Sequence, residues 1–456
     1  MRLGVKLGVL GRGASRRGAV LLLVLWMVII LGVIGLAYTG SVRNQVQVNR
    51  LAEGRKHAWW AAQAGIEKAK AALASVGNTV VNDQDPLFDD KDSFKDQRVG
   101  RAGFSLLVPR VEQKAKQRYG LVDEASRINI NGADEKMLMG LPNMTEELAE
   151  CLLDWRDADS MPLQLGAEED YYQNLSKPIH PKNGPLRSLR ELLLVRGWAP
   201  VFEAARPDPY WRFSEDNQSN SGMDPEDARA LLESLTVWSA EQNLAPDGQQ
   251  KMNLASVDAA TMKSRIGGLA DLEAQSITAH RGSGSYSSPL DLLNVMEASP
   301  DAKQGDQGNQ GGQGGGNRGF ASSQKSQKKA FDLKRVGEII DYFTTGEANE
   351  EKPGLININT APREALLTIP NMDENMATAV VNSRQGSPIK TAGSIQSLNN
   401  MDENTFRQIY PQITVTSSRY HVTSRGFEPD SHAVVTVEAV LGIKEDKVEI
   451  VYWREF

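Results

Sequence analysis

Six carboxylates lie close together in one short stretch: Asp154, Asp157, Asp159, Glu168, Glu169 and Asp170. Carboxylates on a loop, interspersed with small residues, suit a hard cation that takes six to eight oxygen ligands. The spacing does not match an EF-hand, and a solvated acidic loop has the same composition. A second chemical signal is Arg16-Arg17-Gly18-Ala19, a basic pair and a glycine directly before an apolar run. That boundary fits a leader that ends at Gly18, before the apolar run. An uncleaved signal anchor fits the same hydropathy. No residues suit enzymatic turnover: the chain has no phosphate-binding glycine loop, no H-E-x-x-H and no nucleophile elbow. The five histidines are scattered. The single cysteine, Cys151, excludes an intrachain disulfide and a multi-cysteine metal site, and its helical apolar pattern with Leu148 and Leu152 reads as core. Trp155 and Trp198 also read as core.

These residues must be positioned by larger elements. Ala19 to Val42 is an uncharged run of 24 residues, long enough as a helix to cross a ~30 Å hydrocarbon layer with some tilt. Arg2, Lys6, Arg12, Arg16 and Arg17 precede it with no acidic neighbour, which predicts a cytoplasmic N-terminus and export of the remainder. The helix continues outside the membrane, because Trp59, Ala62, Ile66, Ala69, Leu73 and Val76 form an apolar stripe and Gly77 supplies a stop. Phe104–Val108 and Tyr119–Val122 read as strands. Gln412–Tyr420, His432–Ile443 and Lys447–Trp453 read as an antiparallel meander. The sheet that packs on the helix is therefore split in sequence.

The intervening segment repeats. INING near Ile128 and ININT near Ile356 open two stretches that align without a gap, so that Asn129 and Asn357, Met144 and Met372, and Arg156 and Arg384 are each 228 residues apart. A weaker copy carries Asn253 and Arg281 at the matching places. Three copies of one small helical unit predict self-stacking. The first copy has an extra loop of 22 residues beside the acidic cluster. Residues 303–329, rich in Gly and Gln, read as a flexible linker between the second and third copies. The core L-P-x-M-x-x-x-x-A is similar to a helix-hairpin-helix unit of the SAM-like kind. DNA-binding versions use a glycine-rich hairpin that meets a phosphate. Here Asn143-Met144-Thr145-Glu146 and Asn371-Met372-Asp373-Glu374 put carboxylates at the helix N-termini, which repel phosphate. Only the weak copy keeps glycines, Gly267 and Gly268. With a net charge of −7, nucleic acid is not an expected partner.

The fold expected is α+β: a long N-terminal transmembrane and pilin-like helix on an antiparallel sheet, with a large inserted all-α domain. Its parts are a leader (1–18), a membrane span (19–42), an outer helix half (43–77), the sheet (78–122 and 411–456) and the insert (123–410). The copies fall near 123–200, 223–298 and 331–410.

The glycine-ended leader resembles those of type IV pilins and pseudopilins, except that Leu23 stands at the fifth position after the cut, where most members carry glutamate. Together with GLVDEASRINING, DWRDAD…GAEEDYY…PKNGPLRSLRELLLVRG and the terminal VEIVYWREF, it is similar to the general secretion pathway protein K family, the large minor pseudopilins of the type II secretion system. The resemblance implies several things. A prepilin peptidase cleaves after Gly18, and Ala19 is methylated. The protein is not an enzyme. It crosses the inner membrane once, with its bulk in the periplasm. It joins the I-type and J-type minor pseudopilins at the tip of a pseudopilus, helping to initiate assembly for protein export. Calcium binds in the helical domain, and Leu23 marks the first subunit. The alternative is a membrane-tethered helix-hairpin-helix protein that captures DNA in a competence-type pilus. The weak repeat and the Gly/Gln-rich stretch depart from the family pattern.

Overall fold

The computed structural model describes residues 15–109, 116–205, 223–298, 328–347, 351–398, 401–444 and 447–456. Residues 1–14 of the expected leader and 303–327 of the expected linker lie outside them.

Helix α1 spans Ser15–Val76, 62 residues, or roughly 90 Å at 1.5 Å per residue. Its first half carries apolar side chains on every face, all exposed from Val20 to Tyr38, and the helix is long and apolar enough to cross a membrane. Its second half is amphipathic, and Ala58, Ala62, Ile66, Ala69 and Leu73 are buried. The buried line thus leaves Trp59 at its margin, where the indole Nε1 donates to Glu455 Oε1 at 2.9 Å. Gly77, at φ +56°, ends the helix as expected, with its N–H on Leu73 O at 2.9 Å.

A six-stranded antiparallel sheet packs on that line. Its strands are β1 (Gln97–Val99), β2 (Ala102–Leu106), β3 (Val122–Asp123), β4 (Arg419–Glu428), β5 (Ala433–Lys444) and β6 (Lys447–Glu455), in the order β1-β2-β4-β5-β6. β3 pairs with β4 beyond the end of β2, Tyr420 opposite Asp123 and Ser424 opposite Leu106. The sheet is split in sequence, as expected. The strand expected over Gln412–Tyr420 is corrected: Ile413–Thr414 pairs elsewhere, and the long strand begins at Arg419. The reason is steric. β4 lies so close to α1 that a Cβ on Gly426 would sit 1.9 Å from Ala58 O, and one on Gly65 would sit 2.1 Å from Ser424 Oγ. Small residues there erase the alternation that marks a strand.

Between β3 and β4 stand the three repeat copies, which share one core separate from that of the helix and sheet. Each opens on a two-residue strand that pairs in parallel with a two-residue strand closing the same copy: Ile128 with Leu235, Met252 with Phe343, Ile356 with Ile413. The opening asparagines fix the turn, Asn129, Asn253 and Asn357 each accepting a backbone N–H two residues on. The matching arginines close it. Arg156 donates to the carbonyls of Ile130 and Ala133, Arg281 to Leu254 and Val257, and Arg384 to Ile358 and Ala361.

These pairings correct the expected copy boundaries. Helix Pro225–Glu233 and Leu235–Thr236 complete the first copy, and helix Leu333–Ile339 with Phe343–Thr344 completes the second. The stretch 303–329 therefore interrupts the second copy instead of following it. A two-residue strand leaves no periodicity to read in sequence.

Candidate functional site

The acidic loop belongs to the first copy. Helix Glu146–Arg156 is capped by Thr145, whose side chain accepts from Leu148 N at 3.3 Å. Its apolar face, with Cys151, Leu152 and Trp155, is buried in the domain core as the sequence implies. The chain then folds back over the helix. Asp154 accepts from Leu163 N at 3.3 and 3.2 Å, and Glu150 accepts from Leu165 N. Arg196 Nη1 donates to Gly166 O at 3.3 Å. A Cβ at Gly166 would stand 1.8 Å from Asp154 Oδ2, so glycine lets the loop pass against that carboxylate without displacing it.

This return brings Asp154, Asp157 and Glu168 together, with one carboxylate oxygen of each within 4.8 Å of the others. Asp154 and Glu168 are buried. Both oxygens of Glu168, and Oδ1 of Asp157, are buried without a hydrogen-bond partner. Burial, and after it the charges of Asp154, Asp157 and Asp159, push the Glu168 carboxyl up to about 7. Burial likewise raises Asp154 and Asp157. Arg156, beside Asp157 in sequence, is spent on the carbonyls of Ile130 and Ala133.

The other expected ligands stand apart. Asp159 is exposed and accepts from Met161 N at 2.8 Å. Glu169 pairs with His180 Nδ1 at 2.7 Å. Glu169 and Asp170 form the first turn of helix Glu169–Gln173, where negative charge favours the helix dipole. Glu150 and Gly166 were not legible as site residues, because their roles depend on how the loop returns. At the other expected site, Gly18 and Ala19 lie within α1, and Leu23 is exposed on its apolar half.

The hairpins of the three copies turn at Asn143, Gly268 and Asn371, with φ of +62°, +75° and +64°. In the second copy the nearby cations are committed: Lys263 to Asp271, Arg265 to Asp247 at 2.8 Å, and Arg335 to Glu273 at 2.8 Å. Asp373 caps the helix of the third copy, accepting from Met376 N at 2.7 Å. The hairpins thus present carboxylates where a phosphate would need open N–H groups.

Residues 135–207, which include the three converging carboxylates, match the family described as Type II secretion system (T2SS), protein K. The resemblance read from the sequence is thereby borne out. No curated protein matches the chain. Among solved structures, it is similar to a chain of the GspK-GspI-GspJ complex from the enterotoxigenic Escherichia coli type 2 secretion system. The identity is 13% and the TM-score 0.40, over 90% of this chain and 99% of that one.

Proposed function

We propose, from the match of residues 135–207 to type II secretion system protein K, that this chain is the first subunit of a periplasmic pseudopilus. In this reading α1 anchors it in the inner membrane, a prepilin peptidase cleaves after Gly18, and Ala19 is methylated. The bulk of the chain lies in the periplasm. There it meets minor pseudopilins of the I and J types and helps start the filament that drives export across the outer membrane. It acts by binding and not by catalysis. The observation that carries the reading is the matched domain's place inside a sheet that packs on a membrane-length helix. Leu23 supports the tip position. A glutamate there would need the amine of a subunit ahead, and an unpaired carboxylate in lipid costs about 2.5–3.5 kcal/mol on insertion scales.

The repeat units take the helix-hairpin-helix, SAM-like role of packing modules. The committed cations and capped hairpins argue against DNA capture. Asp154, Asp157 and Glu168 are the residues that would hold a calcium ion. The partnerless oxygens of Glu168 and Asp157 fit a hard cation, which would supply the positive charge the cluster lacks. Peptide mass spectrometry of the assembled protein tests the reading: a methylated N-terminal Ala19 is expected, and an intact Met1 would contradict it.

A further inference from the structure

The outer end of the apolar half of α1 carries unpaired positive charge. Ala19–Val42 is uncharged, and a helix of 24 residues extends about 36 Å at 1.5 Å per residue. That length crosses a ~30 Å hydrocarbon layer and sets the next residue among the headgroups of the far leaflet. The next residue is Arg43, Arg50 follows two turns later, and the first acidic residue of the whole chain is Glu53. The exported flank of a membrane span is ordinarily poor in Lys and Arg, so these two arginines need another reason to stand there.

Arg43, Gln47 and Arg50 share one face of α1, at helical spacings of four and three. All three are exposed, and among the described residues neither arginine has a hydrogen bond or an acidic partner. One turn further on, the same face meets the sheet, where a Cβ on Gly54 would stand 1.9 Å from Ser431 Oγ of the β4–β5 turn. Glu428 at that turn is already engaged, accepting from Ser431 N at 2.7 Å. The arginines therefore flank a niche between the membrane and the lower edge of the sheet. Side chains of a helix lean toward its N-terminus, so Gln47 and Arg50 lean back toward the membrane and Arg43. Two guanidinium forks with an amide between them suit a phosphate, which takes paired N–H donors.

We propose that Arg43, Gln47 and Arg50 bind the headgroup phosphate of an anionic phospholipid beneath the sheet. This rests on the reading of α1 as the membrane anchor. The full-length protein in phosphatidylcholine nanodiscs tests it, with photoreactive headgroups carried in turn by phosphatidylglycerol and by phosphatidylcholine, and adducts mapped by peptide mass spectrometry. Adducts on residues 43–51 are expected about tenfold more often from the anionic lipid, since two cations at a membrane surface are worth at least that much. Arg43→Gln combined with Arg50→Gln should abolish the excess, and the fold is kept because both side chains are exposed. Arg55→Gln combined with Lys56→Gln, on other faces and further from the membrane, should leave it in place. Equal loss in the two double variants would mean diffuse attraction and no site, and it overturns the proposal. So do equal adducts from the two lipids, or an excess that added inorganic phosphate abolishes, which would make free phosphate the ligand. No adduct on α1 from either lipid would defeat the anchor reading itself, and the site with it.

Discussion

At the scale of single residues, the acidic loop is held together by contacts that oppose its own charge. Glu168 is only 4% exposed and faces the charges of Asp154 and Asp157 with no cationic side chain among the described residues acting on it, so the cluster carries repulsion that a neutral isostere removes. Glu168→Gln should therefore raise the melting temperature in chelator. Calcium at about 100 times its dissociation constant should stabilise the parent by roughly 2.7 kcal/mol, and this variant should lose that increment. Equal melting of the parent with calcium and with chelator would reject the site. Gly166→Ala should also lose the increment, since its Cβ would displace Asp154 or the loop. Asp159→Asn should keep most of it, because Asp159 reaches the cluster through its charge and its backbone N–H, and the substitution keeps the second. The sequence displays six acidic candidates here. Three of them converge, and only the path of the loop through Gly166 selects which.

At the scale of elements, the repeats are stapled in one way three times, by an arginine at the end of the second helix on two carbonyls of the opening turn. Arg384 is the most demanding case. It is 3% exposed and also pairs with Asp83 at 2.8 Å, tying the third copy to the segment after α1. Arg384→Met should cost about 3 kcal/mol, measured by denaturant unfolding, because it leaves two carbonyls and a carboxylate without their partner. A change within 0.5 kcal/mol, about the scatter of surface substitutions, would show that the staple is dispensable. The helix and sheet make a parallel case. Gly426→Ala would drive a Cβ into the α1 backbone and should cost roughly 2–3 kcal/mol, read from the same transition. The asparagine and arginine repeat was legible in sequence because these residues satisfy backbone groups that any copy must satisfy. The closing strands and β4 were not. Two-residue strands have no period, and β4 gives up large apolar residues to let α1 approach.

At the scale of the whole molecule, a membrane-length helix, a split sheet and a bulky insert lie in one chain, and the insert is fixed to the sheet. Asp123 of β3 accepts from Asn357 Nδ2 of the third copy at 2.8 Å, and Trp238 of the insert packs on Tyr452 of β6, ring centres 5.3 Å apart. A domain held this way would sit at the outer end of α1 and obstruct a subunit stacking above it. Leu23→Glu should then impair membrane insertion or initiation, and pulse labelling of secreted protein would read the loss. The long apolar helix and the split of the sheet could be read from hydropathy and β-branched residues. How the insert sits on the sheet could not, because its contacts join residues hundreds of positions apart. The most direct test of the tip assignment is immunogold labelling of isolated pseudopili against the inserted domain. One label at one end of each filament is the expected result. Labels repeated along the shaft would contradict it.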